Sequence, residues 1–298
     1  MSVEPAPRPS GTLLPGVALG IRYMAAAALF FSIMSLLVKV AGQRLPVQEV
    51  VLARSSVGLA ICVYSLRRRG ISLWGERRWL LLARGLLGYA GLSCFFYALV
   101  HLPLAEATVI QYTNPVFTAV LAAIFLAELI RPRDLLLVLV SLGGVVLMTR
   151  PAVLFGGLDA GLDPVAVIVA LAGAVFSAGA YVTVRRLSRT EDPVVIVFYF
   201  ALVATAGSIP LTAVNPVLPT GWEWVALAGI GVVTQAAQVF LTKGLREEQA
   251  GRAMAVGYMQ IVFAAVWGLI FFAEFPDFWG GAGALVIVLA TAGLARRG

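Results

Sequence analysis

Charge is scarce in this sequence. Asp, Glu, Lys and Arg make up 12% of its 298 residues, roughly half the share of a soluble domain. That scarcity excludes a water-soluble fold, because the apolar runs are longer than any core of this size could bury. Cysteine and histidine are scarcer still. Cys62 and Cys94 both fall inside apolar runs and belong to no CxxC pair, which argues against zinc and a disulfide framework and leaves them as small hydrophobes. His101 is the only histidine and stands at the end of a run, where ordinary solvation is expected. With no HExxH and no GxSxG, the chain lacks the set an intramembrane enzyme would need. No cofactor or metal is expected.

Acidic residues are also missing from the middle of the apolar runs. Glu49, Glu106, Glu128, Glu274 and Asp277 all lie near run ends, whereas proton-coupled carriers place a carboxyl at mid-membrane depth. The sequence therefore shows no carboxyl placed for proton coupling.

What is abundant is apolar: 60% of residues are hydrophobic. At 1.5 Å rise per residue, a span needs about 20 of them. The runs between charge clusters and turn residues predict helices at 22–40, 47–66, 78–100, 104–127, 132–149, 164–184, 193–213, 222–243, 250–273 and 277–295. The fold class is an all-α polytopic membrane protein with ten transmembrane helices. Residues 1–15 hold Glu4 and four prolines, Pro5, Pro7, Pro9 and Pro15, and read as a disordered tail rather than a signal peptide.

The net charge of +7 does not indicate nucleic acid, because the basic residues form short clusters at run ends, not a stripe with interleaved aromatics. Arg67, Arg68, Arg69, Arg77, Arg78, Arg131, Arg133, Arg185, Arg186, Arg189, Lys243, Arg246 and Arg252 fall in alternate loops, on one side of the membrane with both termini. Lys39, Arg44 and Arg150 fall on the other. The positive-inside rule then puts both termini in the cytoplasm.

One stretch occurs twice. Residues 112–128 read YTNPVFTAVLAAIFLAE, and residues 258–274 read YMQIVFAAVWGLIFFAE, with nine of 17 positions identical. The terminal Tyr and Glu agree in register, which chance likeness between greasy helices does not explain. The halves are 16–150 and 159–298, five spans each. Because five is odd, the second copy enters from the opposite face. Such inverted repeats build secondary transporters, with a solute site near the midplane where the repeats meet.

Pro115 stands about twelve residues into a span, beside Gln111, Tyr112 and Asn114. A broken helix in lipid is tolerated only against protein or a cavity, so this is where a solute could meet a freed carbonyl and amide side chains. In the second copy Gly257, Tyr258 and Gln260 occupy matching positions, while Ile261 replaces the proline. That substitution puts a strictly symmetric site in doubt.

These features resemble the drug/metabolite transporter superfamily, EamA type, over essentially the whole chain after residue 16. The residues that carry the likeness are P115VFTAVLAAIFLAE128 after LPLAEA, its echo I261VFAAVWGLIFFAE274, and Pro46 followed eight residues later by the intramembrane Arg54. The resemblance implies a basket of helices around a central cavity, in the bacterial inner membrane, exporting amino acids (neutral or aromatic) or related metabolites. A carrier or flippase for an anionic headgroup or a nucleotide-sugar-like substrate, and a small-solute channel, remain as alternatives.

The expected partners are a small-molecule substrate and the lipid bilayer, with a monomer expected and a dimer left open. Expected lining residues are Arg84, Tyr89, Ser93 and Tyr97 on the third span, Gln111, Tyr112 and Asn114 on the fourth, Tyr181 on the sixth, Gln235 and Gln238 on the eighth, and Tyr258, Gln260 and Trp267 on the ninth. Tyrosine and tryptophan offer an apolar face with a polar tip, which suits amphipathic solutes. Pro115 and Arg54 are assigned structural roles, Arg54 as half of an ion pair. Arg84 either snorkels or meets a substrate carboxylate as a bidentate partner.

Overall fold

The computed structural model describes residues 18–41, 44–102, 104–129, 131–150, 163–214, 216–273, 275 and 277–295. The tail at 1–15 and Glu274 lie outside the described residues, as does the side chain of Glu106. Twelve helices are described: α1 (Leu19–Ala41), α2 (Val47–Arg68), α3 (Arg78–His101), α4 (Leu104–Gln111), α5 (Asn114–Leu126), α6 (Pro132–Thr149), α7 (Pro164–Leu187), α8 (Pro193–Val214), α9 (Gly221–Glu247), α10 (Ala250–Val256), α11 (Met259–Phe272) and α12 (Phe278–Ala295). Counting α4 with α5 and α10 with α11, they make ten candidate membrane spans. Their outward surface carries Leu136, Ile168, Ile209, Val225, Ile270 and Leu289, all exposed. In water that coat would be an aggregation surface, whereas in a bilayer it faces acyl chains.

The two halves repeat their geometry. The packing of α1 on α9 is mirrored by α7 on α3, while α2 pairs with α8 and α6 with α12. Small residues let these pairs approach. Gly85 lies on Val203 and the Tyr199 carbonyl, Gly91 on Ser177, and Gly144 on Ile287 and the Gly283 carbonyl. The small-residue run at 280–283 therefore spends Gly283 on a contact within the chain, as van der Waals association of membrane helices requires. Even an unusual helix ending recurs: Ala127 and Ala273, one after α5 and the other after α11, are left-handed at φ 52° and φ 53°.

The break in the fourth span falls at Tyr112–Thr113 and places Pro115 at the second residue of α5, where a missing N–H leaves no helical bond unmade. The ninth span breaks too, at Gly257–Tyr258, although it has no proline. There the chain tightens to i→i−3 bonds, with Gly257 N–H donating to Met254 O at 3.0 Å and Gln260 N–H to Gly257 O at 3.0 Å. The missing proline thus does not make the second copy continuous.

Candidate functional site

The two breaks flank one cavity. Its larger lobe, about 510 Å³, is walled by α1 (Met24, Phe31, Ser35), by Phe95, by Gln111, Tyr112, Asn114 and Pro115 at the first break, and by Gly257 and Gln260 at the second. A smaller lobe of about 170 Å³ holds Arg54, Arg84, Ser177, Phe200 and Gln238. Phe31, Phe95, Gln111, Tyr181 and Gln260 line both, so the two adjoin as neighbouring lobes of one chamber. Together they fall within the range of small-molecule sites.

Polar atoms in this chamber lack partners. Asn114 is 8% exposed; its amide N–H donates to Gln111 O at 2.8 Å, while Oδ1 has no partner. Gln111 donates weakly to Ser177 Oγ at 3.4 Å, and its Oε1 is likewise unpartnered. Arg84 is 2% exposed. Its Nη2 reaches Gln238 Oε1 at 3.4 Å, its guanidinium lies 4.6 Å from the Phe200 ring centroid, and Nε has no partner. Gly88 makes room for it, since a Cβ there would stand 2.3 Å from Arg84 Nη1. The arrangement supplies donors at the small lobe and acceptors at the broken helix. Unmade bonds of this kind cost about 1–3 kcal/mol each.

Arg54 requires a correction. Among the described residues no carboxylate pairs with it, and its one recorded contact is Nη1 to Met34 Sδ at 3.8 Å. It lines the small lobe and a narrow extension beyond it, which also holds Gln235. An intramembrane arginine eight residues after Pro46 was the signal for this second charge.

Several expected lining residues sit elsewhere. Tyr258 is fully buried behind the wall, its hydroxyl donating to Tyr112 O at 2.8 Å and its ring 5.7 Å from that of Tyr112. Trp267 donates to Ser32 Oγ at 2.9 Å and so ties α11 to α1. Tyr89 packs against Gly207 of α8, where an added Cβ would meet its ring at 2.4 Å. Ser93 caps the Tyr89 carbonyl at 2.9 Å, and Tyr97 stacks on His101 at 4.0 Å. Gln235 donates to Cys62 Sγ at 2.9 Å. Phe31, Phe95 and Phe200 took the aromatic places expected for tyrosines. The repeat of PheSer at 31–32 and 176–177 was the only hint, since Ser177 also lines the chamber.

On the face that carries Arg131 and Arg133, a network ties the helix ends together. Arg185 at the end of α7 donates from Nε to Glu128 Oε1 at 2.8 Å and from Nη1 to the carbonyls of Leu245 and Arg246 at 2.9 and 2.6 Å. Glu128 Oε2 accepts from Ala250 N at 2.9 Å. One ion pair, with side chains 12% and 11% exposed, thus joins α5, α7, α9 and α10. Here the symmetry fails. Helix α10 packs along α5, with Gly251 against Ala119, whereas among the described residues their counterparts α4 and α11 make no comparable contact.

Known proteins carry the same organisation. The EamA-like transporter family matches residues 18–150 and again 164–296. A relative in Pseudomonas aeruginosa (strain UCBPP-PA14), the pseudopaline exporter CntI, is 38% identical over 278 residues, covering 93% of this chain and 96% of its own. The human solute carrier family 35 member G1 is 31% identical, over 95% of this chain and 80% of its own. A crystal structure with 23% identity superposes at a TM-score of 0.79, covering 93% of this chain and 98% of the other, a likeness of fold. The chain is accordingly a multi-pass membrane transporter for a small molecule and not an enzyme: it belongs to the EamA-like transporter family.

Proposed function

We propose that this protein exports an amino acid or an amino-acid-like metabolite across a bacterial inner membrane by alternating access. The observation that carries the reading is the set of unpartnered polar atoms around one chamber. Arg84 would receive the solute's carboxylate, Gln111 Oε1 and Asn114 Oδ1 would accept from its amine, and Phe31, Phe95, Tyr112 and Tyr181 would flank its side chain. Charged carboxylates on paired guanidinium donors form bonds about twice as strong as neutral ones. The Pseudomonas relative, named as an exporter, supports the direction. The positive-inside rule supports cytoplasmic termini, so the Glu128–Arg185 network would lie on the cytoplasmic side. The conformation seen would then be closed inward. Two repeats, at about 16–150 and 159–298, would exchange roles when it opens.

The test is flux in proteoliposomes with a panel of labelled amino acids and amines, with Arg84→Gln and Asn114→Ala alongside the parent protein. Amino-acid flux that both variants lose supports the reading; flux unchanged in both rejects the site, and a panel that never moves rejects the substrate class. A pH gradient imposed in the same vesicles decides between proton antiport and downhill efflux.

A further inference from the structure

We infer that the solute carries a second negative charge besides the carboxylate assigned to Arg84, and that Arg54 receives it. This rests on the carrier reading above and narrows its substrate class. Arg54 comes from α2 and Arg84 from α3, yet both line the same lobe of about 170 Å³. Neither has a carboxylate within ion-pair distance among the described residues. The described acids that form ion pairs, such as Glu128, Glu223 and Asp277, pair with arginines at the helix ends.

A guanidinium presents five N–H donors and cannot shed its charge in a protein. The recorded partners of these two are a thioether at 3.8 Å and an amide oxygen at 3.4 Å, both weak for a cation. The ring of Phe200 helps Arg84 but adds no charge. Two like charges beside one small lobe, Arg84 buried and Arg54 half-buried, with no counter-ion among the described residues, make the empty chamber costly. A single carboxylate offsets only one of them.

The charges also belong to one repeat alone. At the 146-residue spacing of the repeat, Arg54 and Arg84 fall on Phe200, which lines the same small lobe, and on the buried Ile230, so the second copy brings no matching charge. A solute that fits bears two anionic groups at one end, with its N–H groups toward Gln111 and Asn114. Two carboxylates, or a carboxylate with a phosphate ester, meet that requirement.

The test uses the full-length protein in proteoliposomes and pairs of solutes alike in shape but different in charge: glutamate with glutamine, aspartate with asparagine, phosphoserine with serine. A further arm follows transbilayer movement of labelled phosphatidylserine. The expected result is preference for the more acidic member of a pair by about tenfold or more, with that ratio falling toward one in Arg54→Gln while the neutral partner still moves. Equal flux within every pair, or a ratio that Arg54→Gln leaves unchanged, overturns the inference but leaves the carrier reading standing. Lipid movement without soluble flux overturns both. If Arg54→Gln fails to fold, Arg54→Lys keeps the charge and loses the fork; its ratio should fall part-way, and an unaltered ratio overturns the inference. In detergent, glutamate should raise the melting temperature of the parent more than glutamine does, a difference that either Arg54 variant should shrink.

Discussion

The hydroxyl of Tyr258 donates to the main-chain carbonyl of Tyr112 at 2.8 Å, and the two residues are each other's counterparts, 146 positions apart in the internal repeat. The acceptor exists because the fourth span is broken: the N–H of Val116, its helical partner, turns instead to Thr113 O at 3.0 Å. One copy of the repeat thus repairs the break in the other. Replacing Tyr258 by Phe leaves that carbonyl orphaned in a buried place, at a cost of about 1 kcal/mol on the scale of membrane-protein hydrogen bonds. The variant should fold, melt a few degrees lower and transport more slowly. Pro115→Ala should retain most transport, because the ninth span breaks without a proline. A fully inactive Pro115→Ala beside an unaffected Tyr258→Phe would reverse this account.

The Glu128–Arg185 pair should hold the chamber shut toward the basic face. Beyond the pair, Glu128 accepts from Ala250 N and Arg185 donates to the last carbonyls of α9, so removing either loosens several helices together. Glu128→Gln should shift the population toward the opposite opening, on the order of tenfold for a loss of one charge-assisted bond. Met254 lines the chamber and reports this. In a background lacking Cys62 and Cys94, Met254→Cys should react with a membrane-impermeant maleimide from the cytoplasmic side faster once Glu128 is neutralised. Equal rates would show that the pair is only a staple.

The spans and the repeat were legible in the sequence, because length, hydropathy and the Tyr-to-Glu register are properties of residue order alone. The lining was only half legible. Gln111, Tyr112, Asn114, Tyr181, Gln238 and Gln260 reach the chamber, all of them polar groups near the breaks or facing them. Tyr89, Tyr97, Tyr258 and Trp267 do not, and nothing in their neighbours foretold it. A helix greasy on every side has no polar stripe to mark its inner face, so its rotation is decided by packing against other helices. Tyr89 is turned away from the chamber by the notch at Gly207, more than a hundred residues along the chain. The ion pair expected of Arg54 fails for a related reason: only the fold reveals that none of the described acids pairs with it.

Gly88 should prove as important as the arginine it accommodates. A methyl group there would lie 2.3 Å from Arg84 Nη1 and 2.9 Å from Phe200 Cδ2. The guanidinium is the movable party, so Gly88→Ala should displace it from the ring and from the chamber. Alanine is the better helix former by ~1 kcal/mol, so folding should survive. The expected signature is a raised KM for an acidic solute with expression and melting temperature preserved. An unchanged KM would show that the guanidinium swings aside without consequence.

If Arg54 and Arg84 are kept for a solute, the empty protein is less stable for keeping them. Burying a cation without a partner costs several kcal/mol, and replacing such groups by apolar side chains of similar volume is often stabilising. Methionine fills the space of an arginine stem and adapts to irregular gaps. Arg54→Met should therefore raise the melting temperature of the solute-free protein in detergent, by an amount equivalent to about 1–3 kcal/mol, and abolish the additional stabilisation that an acidic solute confers on the parent. A structural arginine would behave in the opposite way: its removal would expose unmet acceptors and lower the melting temperature whether or not solute is present. Thermal unfolding of the parent and Arg54→Met, each with and without 10 mM glutamate (a concentration on the order of what weak carrier sites need), separates the two behaviours. Lower stability of Arg54→Met in the empty state would place Arg54 among the residues that hold the bundle together and not among those that hold its cargo.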